Sequence, residues 1–336
     1  AQTCGYGALI ETGRWRIASA SPELFFEWKD GRFVCRPMKG TAARGLTTKG
    51  DEGQRLGLLA STKDQAENVM IVDMVRNDLG RIAVTGSVET PALFSAEKYD
   101  TVWQLTSTVT AISRPGTSLL DAFRALFPSA SITGAPKVAT MQIIQELENR
   151  PRGVYCGAIG YLPPGDGRDG ASFSVAIRTG VACHGEGVVE YGVGGGITWD
   201  SSLDSEYDEA LAKARVLTHK GEIPGLIETI RWDDGWYWLD DHLERLTASA
   251  SYFGYDVPVD LRSELEALGE TLGEPTKVRV ELRDGAPHIS SAAAPLRFAH
   301  GPGPDAEQVS LAIDFDPVDA DDPRFFHKTT DRDAYT

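Results

Sequence analysis

The stretch His219-Lys220-Gly221-Glu222-Ile223-Pro224-Gly225 constrains the fold more than any other feature, because the strand-and-helix pattern before it starts afresh after it. A linker at 218–225 divides the 336 residues into one domain over 1–217 and a second over 226–336, in keeping with about 150 residues per domain. Short strands are expected at Gly7–Ile10, Trp15–Ala18 and Leu24–Trp28, with turns at Thr12-Gly13 and Asp30-Gly31. Apolar periodicity predicts helices at about 64–79 and 117–126, and another over Lys137–Leu147 that opens on Pro136. Strands and Gly-rich turns alternate over Gly153–Thr198, and a helix follows at about 205–217. Beyond the linker come strands near 226–239, helices at about 241–252 and 260–272, and strands at 277–283 and 287–292. His300-Gly301-Pro302-Gly303-Pro304 marks a second break before a strand at Val309–Phe315.

An apolar content of 41% supports real cores, and no run approaches the roughly 18 apolar residues of a membrane span. With 33 basic against 49 acidic residues, a net charge of −16 argues against a nucleic-acid partner, which calls for a basic face. Cys4, Cys35, Cys156 and Cys183 show no metal-ligand or CxxC spacing, so a reduced, cytoplasmic protein with structural thiols is expected. The opening Ala1-Gln2-Thr3-Cys4 lacks the basic and apolar regions of a signal peptide, and Thr336 falls where a helix would begin. Both ends therefore read as cut from a longer chain.

Several residue groups carry chemistry. Asp64 and Glu67 share one helix face, as do Glu206, Glu209 and Lys213. Each set alone also reads as a solvated face, but carboxylates from two helices can meet around a hard cation such as Mg²⁺. Between them lie Tyr155, Arg178 at the end of the apolar strand Ser174–Ile177, and the run Gly194-Gly195-Gly196, whose backbone N–H groups can approach an anion. Together these point to a small molecule bearing carboxylates. Lys39, in Arg36-Pro37-Met38-Lys39-Gly40-Thr41 after the strand-like Phe33-Val34-Cys35, is either a surface charge or a buried amine aimed at that molecule.

Ser21-Pro22-Glu23-Leu24-Phe25, Lys39-Gly40-Thr41, Ala66-Glu67-Asn68, Ile71-Val72-Asp73, Arg76-Asn77-Asp78-Leu79, Ser131-Ile132-Thr133-Gly134-Ala135-Pro136-Lys137, Gly157-Ala158-Ile159-Gly160-Tyr161, Ile177-Arg178-Thr179 and Gly194-Gly195-Gly196 stand in the order found in the chorismate-utilising enzymes. Residues 1–217 resemble that family, which includes anthranilate, isochorismate and aminodeoxychorismate synthases; an N-terminal part of its domain is expected to be missing. The resemblance implies a chorismate-binding α/β sandwich with antiparallel sheets. It further implies that Glu67 and Glu209 hold Mg²⁺, with Asp64 and Glu206 in support. Tyr155, Arg178, Gly194, Gly196 and Lys213 would bind substrate carboxylate, and Thr41, Thr133 and Gly134 would line the pocket. Glu23 matches the general acid. Gln104 departs from the family, where many members have histidine.

Lys39 resembles the aminodeoxychorismate-forming branch, whereas anthranilate synthases are similar to alanine there. The implied chemistry is attack of a neutral Lys39 amine on C2 of the ring while Glu23 protonates the departing C4 hydroxyl; ammonia then adds at C4. No glutaminase signature is present, so the resemblance implies ammonia from a separate glutamine amidotransferase subunit.

Residues 226–336 resemble the class IV pyridoxal-phosphate enzymes through Leu226-Ile227-Glu228-Thr229, Leu239-Asp240-Asp241-His242-Leu243-Glu244-Arg245-Leu246 and His327-Lys328-Thr329-Thr330. By that match Arg245 would bind the phosphate of pyridoxal 5′-phosphate and Lys328 would form the imine. The start of an α+β domain of that fold type is implied, making the whole chain α+β. Its remaining cofactor contacts should follow Lys328, only eight residues before the end, so an incomplete site is expected. A synthase fused to a lyase would make 4-aminobenzoate for folate. An anthranilate synthase large subunit, an aminotransferase in the C-terminal part, and a non-catalytic chorismate-binding fragment remain alternatives.

Overall fold

Thr12-Gly13 and Asp30-Gly31 turn the chain where the sequence places them. The first joins β1 (Tyr6–Glu11) to β2 (Trp15–Ser21), with the Thr12 N–H donating to the Trp15 carbonyl at 2.8 Å. The second joins β3 (Leu24–Lys29) to β4 (Arg32–Cys35), and Asp30 and Gly31 take φ of 50° and 75°, the twist a tight hairpin demands. This computed structural model describes residues 5–164, 169–199, 201–214, 217, 225–283, 285–294 and 326–330. The expected strand Val309–Phe315, and the expected linker apart from Gly225, lie outside the described residues.

The chain next forms β5 (Met38–Ala43), α1 (Thr48–Ala60), α2 (Thr62–Gly80), β6 (Glu89–Lys98) and β7 (Val102–Ile112). Three helices follow: α3 (Leu119–Leu126), α4 (Ala130–Thr133) and α5 (Lys137–Leu147). Strands β8 (Ala158–Tyr161), β9 (Asp169–Val175), β10 (Thr179–Cys183) and β11 (Val189–Tyr191) lead to α6 (Leu203–Ala214). The second part holds β12 (Leu226–Trp232), α7 (Leu239–Phe253), α8 (Leu261–Thr271), β13 (Thr276–Arg283) and β14 (Ala286–Ala293).

The coordinates fall into two units, one of residues 1–43 and 54–221, the other of 44–53 and 222–336. The first contains a four-stranded antiparallel sheet, β1-β2-β10-β11, and a seven-stranded one in the order β5-β7-β4-β3-β9-β8 with β6 on β7. Strand β7 organises the larger sheet: β4 and β5 share one of its edges and β6 takes the other. The fully buried Phe26, Trp28 and Phe33 centre the core, with Phe123 edge-on to Phe26 and Phe173 edge-on to Phe123. Helix α2 is fastened to this sheet by Asn68, whose amide donates to the carbonyls of Lys39 and Leu105 and accepts from Ser107 Oγ at 2.5 Å. Lys39 therefore sits on a strand whose backbone is tied both to β7 and to a helix.

In the second unit β12-β13-β14 form an antiparallel sheet, packed with α7 and α8 through Leu226, Ile230, Leu246, Leu265, Val278 and Val280. Residues 326–330 lie along β12: Ile227 N–H donates to the Lys328 carbonyl and Thr330 N–H to that of Gly225. Arg44–Gly53, expected within the first domain, groups with this unit because Arg44 forks onto Asp51 and donates to the Tyr252 carbonyl. A second difference concerns the strand expected to run through Ile177 to Arg178. It stops at Val175, and Arg178 takes φ 50° where the chain passes from the larger sheet (β9) to the smaller (β10). Among the described residues no helix is long and apolar enough to cross a membrane.

Candidate active site

Glu23 begins the site. It directly precedes β3, is 4% exposed, and its Oε1 accepts a hydrogen bond from Ser131 Oγ on α4 at 2.5 Å. Burial raises its carboxyl to about 7, against the opposing pull of Ser131, of the Lys39 charge and of the Met38 N–H. A carboxyl so placed holds its proton near neutrality and can deliver it.

Lys39 comes to the same place from β5. Its half-buried side chain ends at Gly196, where any Cβ would collide with Nζ, and its charge is felt at Glu23. The glycine run also gives neighbouring side chains room to approach. None of Gly192, Gly194, Gly195 or Gly196 has a positive φ; each leaves room for a side chain instead. Gly192 and Gly194 accommodate Tyr155, Gly195 lies against Glu206, and Gly196 against Lys39.

Helix α6 brings its acidic face to the same run. Lys213 Nζ pairs with Glu209 Oε1 at 2.6 Å and donates to the Gly194 carbonyl at 2.9 Å. Glu206 Oε1 accepts from Ser201 Oγ at 2.6 Å, while its Oε2 is buried with no hydrogen-bond partner. On α2, Asp64 lies against Gly40, and Glu67 stands one turn along. Among the described residues no three His, Cys, Asp or Glu side chains converge as a cation set. Lys213 neutralises Glu209 and Ser201 holds Glu206. The donor chemistry nevertheless fits a hard cation, since Glu206 Oε2 is a buried carboxylate oxygen that nothing satisfies.

The remaining expected residues surround this centre. The Arg178 guanidinium lies over the Tyr99 ring at 5.8 Å, and the Tyr99 hydroxyl donates to the Pro22 carbonyl next to Glu23. Thr133 ends α4 with its hydroxyl on the Ser129 carbonyl, and Gly134 caps that turn at φ 93°. Thr41 is exposed and donates to Gln104 Oε1 at 3.2 Å, which gives the glutamine a defined partner on the neighbouring strand.

In the second unit Arg245 and Lys328 both reach Glu228. Arg245 donates from Nε and an Nη to the two carboxylate oxygens at 2.6 Å, and Lys328 Nζ is 3.5 Å away. His242 Nδ1 adds a 2.7 Å contact. Burial pushes the Glu228 carboxyl up, but the bonds from Arg245 and His242 and the Lys328 charge outweigh it and hold the group below its ordinary value. An amine and a guanidinium fixed side by side are the donor chemistry that an aldehyde cofactor with a phosphate requires.

Sequence reasoning assigned no role to Ser131, Asn68, Ser201, Gly192 or Glu228. Glu228 carried a signal: it shares one strand face with Leu226 and Ile230, and a carboxylate in an apolar stripe needs cations. Ser131 carried none, because its partner Glu23 lies 108 positions away along the chain.

The family described as chorismate binding enzyme matches residues 1–219. Aminodeoxychorismate synthase of Streptomyces griseus is 46% identical over 213 residues, covering 63% of this chain and 29% of that protein. Aminodeoxychorismate synthase component 1 of Salmonella typhimurium is 42% identical over 214 residues, covering 64% and 46%. The crystal structure of anthranilate synthase component I from Streptococcus pneumoniae superposes with a TM-score of 0.56 at 34% identity, covering 64% of this chain and 46% of that one. The chain thus spans less than half the length of these relatives.

Proposed function

This chain belongs to the family of chorismate-binding enzymes, and from that premise we propose that residues 1–217 act as aminodeoxychorismate synthase component I, aminating chorismate at C4 with ammonia. The observation that carries the reading is a buried Glu23 carboxyl, raised to about 7, within electrostatic reach of the Lys39 amine that ends at Gly196. The 42–46% identity to aminodeoxychorismate synthases supports it.

Lys39, as the free amine, attacks C2 of the ring while Glu23 gives its proton to the C4 oxygen, which departs as water. Ammonia adds at C4, the new ammonium releases a proton, and Lys39 leaves with the enolpyruvyl group intact. Arg178, Tyr155 and Lys213 hold substrate carboxylate, and Thr41, Thr133 and Gly134 line the ring. Asn68 keeps β5, and so Lys39, in place. Glu67 and Glu209, with Asp64 and Glu206, would hold Mg²⁺, which when bound supplies positive charge to a substrate carboxylate. Ammonia would come from a glutamine amidotransferase subunit.

Residues 226–336 we assign to the start of a class IV lyase-like domain that, in the intact protein, would convert the aminated product to 4-aminobenzoate. Arg245 would take the phosphate of pyridoxal 5′-phosphate and Lys328 would supply the amine; the cofactor when bound supplies an electron sink. Glu228 orients both side chains.

The likeness to anthranilate synthase component I favours a second reading, an anthranilate-forming enzyme. Mass spectrometry of the products that full-length protein forms from chorismate, Mg²⁺ and ammonium separates the two. Lys39→Ala is expected to abolish aminodeoxychorismate formation or slow it severely, with some leakage to anthranilate. Unchanged turnover in that variant refutes the covalent role.

A further inference from the structure

We propose that Ser131 and Ser129 form a hydroxyl relay that returns a proton to Glu23 from a water-sized pocket lined by Glu23, Ser129 and Asp78. The proposal rests on the reading of Glu23 as the acid. An acid that gives up its proton in every cycle must recover it, and a side chain 4% exposed meets bulk water poorly.

The geometry supplies a path. Ser131 Oγ donates to Glu23 Oε1 at 2.5 Å, and Ser129 Oγ lies 2.9 Å from Ser131 Oγ. Ser129 stands at the N-cap of α4, where a serine hydroxyl ordinarily accepts from a backbone N–H of the first turn. Here it makes no such cap and is turned to Ser131 instead. The adjoining pocket has a volume of about 20 Å³, room for one water. Glu23, Ser129 and Asp78 are among the residues that line it.

The surrounding charges leave the relay the open route. Asp78 is paired with Lys137 at 2.6 Å, and Lys137 also donates to the Leu126 carbonyl, so neither group turns to Glu23. Cys35 on β4 is pushed up to about 12 by burial and by Asp78, so its thiol keeps its proton. Lys39 faces Glu23 from β5 and serves the substrate. After Glu23 has donated, Ser131 passes its hydroxyl proton to Oε1 and takes that of Ser129. Ser129 is refilled by the pocket water, and that water by solvent. The proton shed by the new ammonium returns to solvent, so each cycle balances and no electrons move.

The test uses full-length protein with chorismate, Mg²⁺ and ammonium. At about pH 6, below the raised value of Glu23, the first turnover of Ser129→Ala should proceed at the wild-type rate, since Glu23 enters it protonated, and later turnovers should slow by about tenfold. KM for chorismate should stay within about twofold. Imidazolium at rising concentration and fixed pH should restore the steady-state rate, and Ser129→Thr should retain it. Wild-type steady-state turnover in Ser129→Ala overturns the relay, as does a loss equal in the first and later cycles that imidazolium leaves untouched. Glu23→Gln separates this from the parent reading: if it still turns over, the acid role itself falls, whereas a dead Glu23→Gln beside a normal Ser129→Ala removes only the relay.

Discussion

Glu23 and Glu228 are the same residue type at nearly the same burial, 4% and 2% exposed, and the fold drives them in opposite directions. Glu23 is raised to about 7, Glu228 lowered. Desolvation is the largest influence on both, so burial does not make the difference. The partners do. Glu23 receives a neutral hydroxyl, a backbone N–H and one amine charge close enough to be felt. Glu228 receives a two-pronged guanidinium, an imidazole and a second amine. A buried carboxylate stays ionised when forked hydrogen bonds from a cation replace its hydration shell, and becomes a proton store when they do not. In one unit the buried carboxyl is favoured in its protonated form, in the other it is a fixed charge paired with two basic side chains.

Glu23→Gln probes the contrast with the largest expected effect. Turnover should fall by about 10²–10⁴-fold, the usual contribution of a positioned acid. Stability should move the other way. Because the folded protein keeps a proton that the unfolded chain releases above its ordinary 4.5, wild-type stability declines as pH rises from about 4.5 to 7. The amide has no such dependence, so at pH 8 it should be more stable than wild type by about 3 kcal/mol, and by little below pH 4.5. Urea denaturation at the two pH values measures this. A variant less stable at pH 8 would make Glu23 a fixed charge after all.

Arg245→Ala comes next. It leaves Glu228 buried with only His242 and Lys328, and should cost about 2 kcal/mol at pH 7. Arg245 is itself half exposed, which keeps the loss below that of a fully buried pair. Glu228 has a lowered folded value, so its stabilisation is present above 4.5 and lost as pH falls through that lower value. The gap between variant and wild type should therefore close in acid, the reverse of the Glu23→Gln pattern. A gap independent of pH would show that Arg245 contributes packing alone.

What the sequence revealed of these two sites follows from where their partners come from. Local rules were readable: Asp30-Gly31 made its hairpin, and Pro136 opened the helix over Lys137–Leu147. Helix α1 was hidden because Gly50, Gly53 and Gly57 interrupt any apolar period. Strand β7 was hidden because consecutive residues Leu105, Thr106 and Ser107 are buried, which erases the alternation of a one-faced strand. The binding of Ser131 to Glu23 spans 108 positions, and no local pattern encodes it. The placement of Arg44–Gly53 in the second unit is of the same kind, resting on an Arg44 bond 208 positions away.

His242 offers the finest test. Its Nδ1 makes the third hydrogen bond to Glu228, at 2.7 Å, after the two from Arg245. His242→Phe keeps a flat ring but removes the donor, leaving the carboxylate with the guanidinium fork and the Lys328 charge. One hydrogen bond to a charged group is worth about 1.5 kcal/mol, and the surviving fork should hold the loss to about 1. If Glu228 owes its ionised state chiefly to the fork, denaturation of His242→Phe should keep the wild-type dependence on acid, shifted slightly upward in pH. If the imidazole is the deciding partner, the acid dependence should vanish with it and Glu228 should begin to behave as Glu23 does. The two outcomes distinguish a carboxylate fixed by geometry from one fixed by the number of its donors.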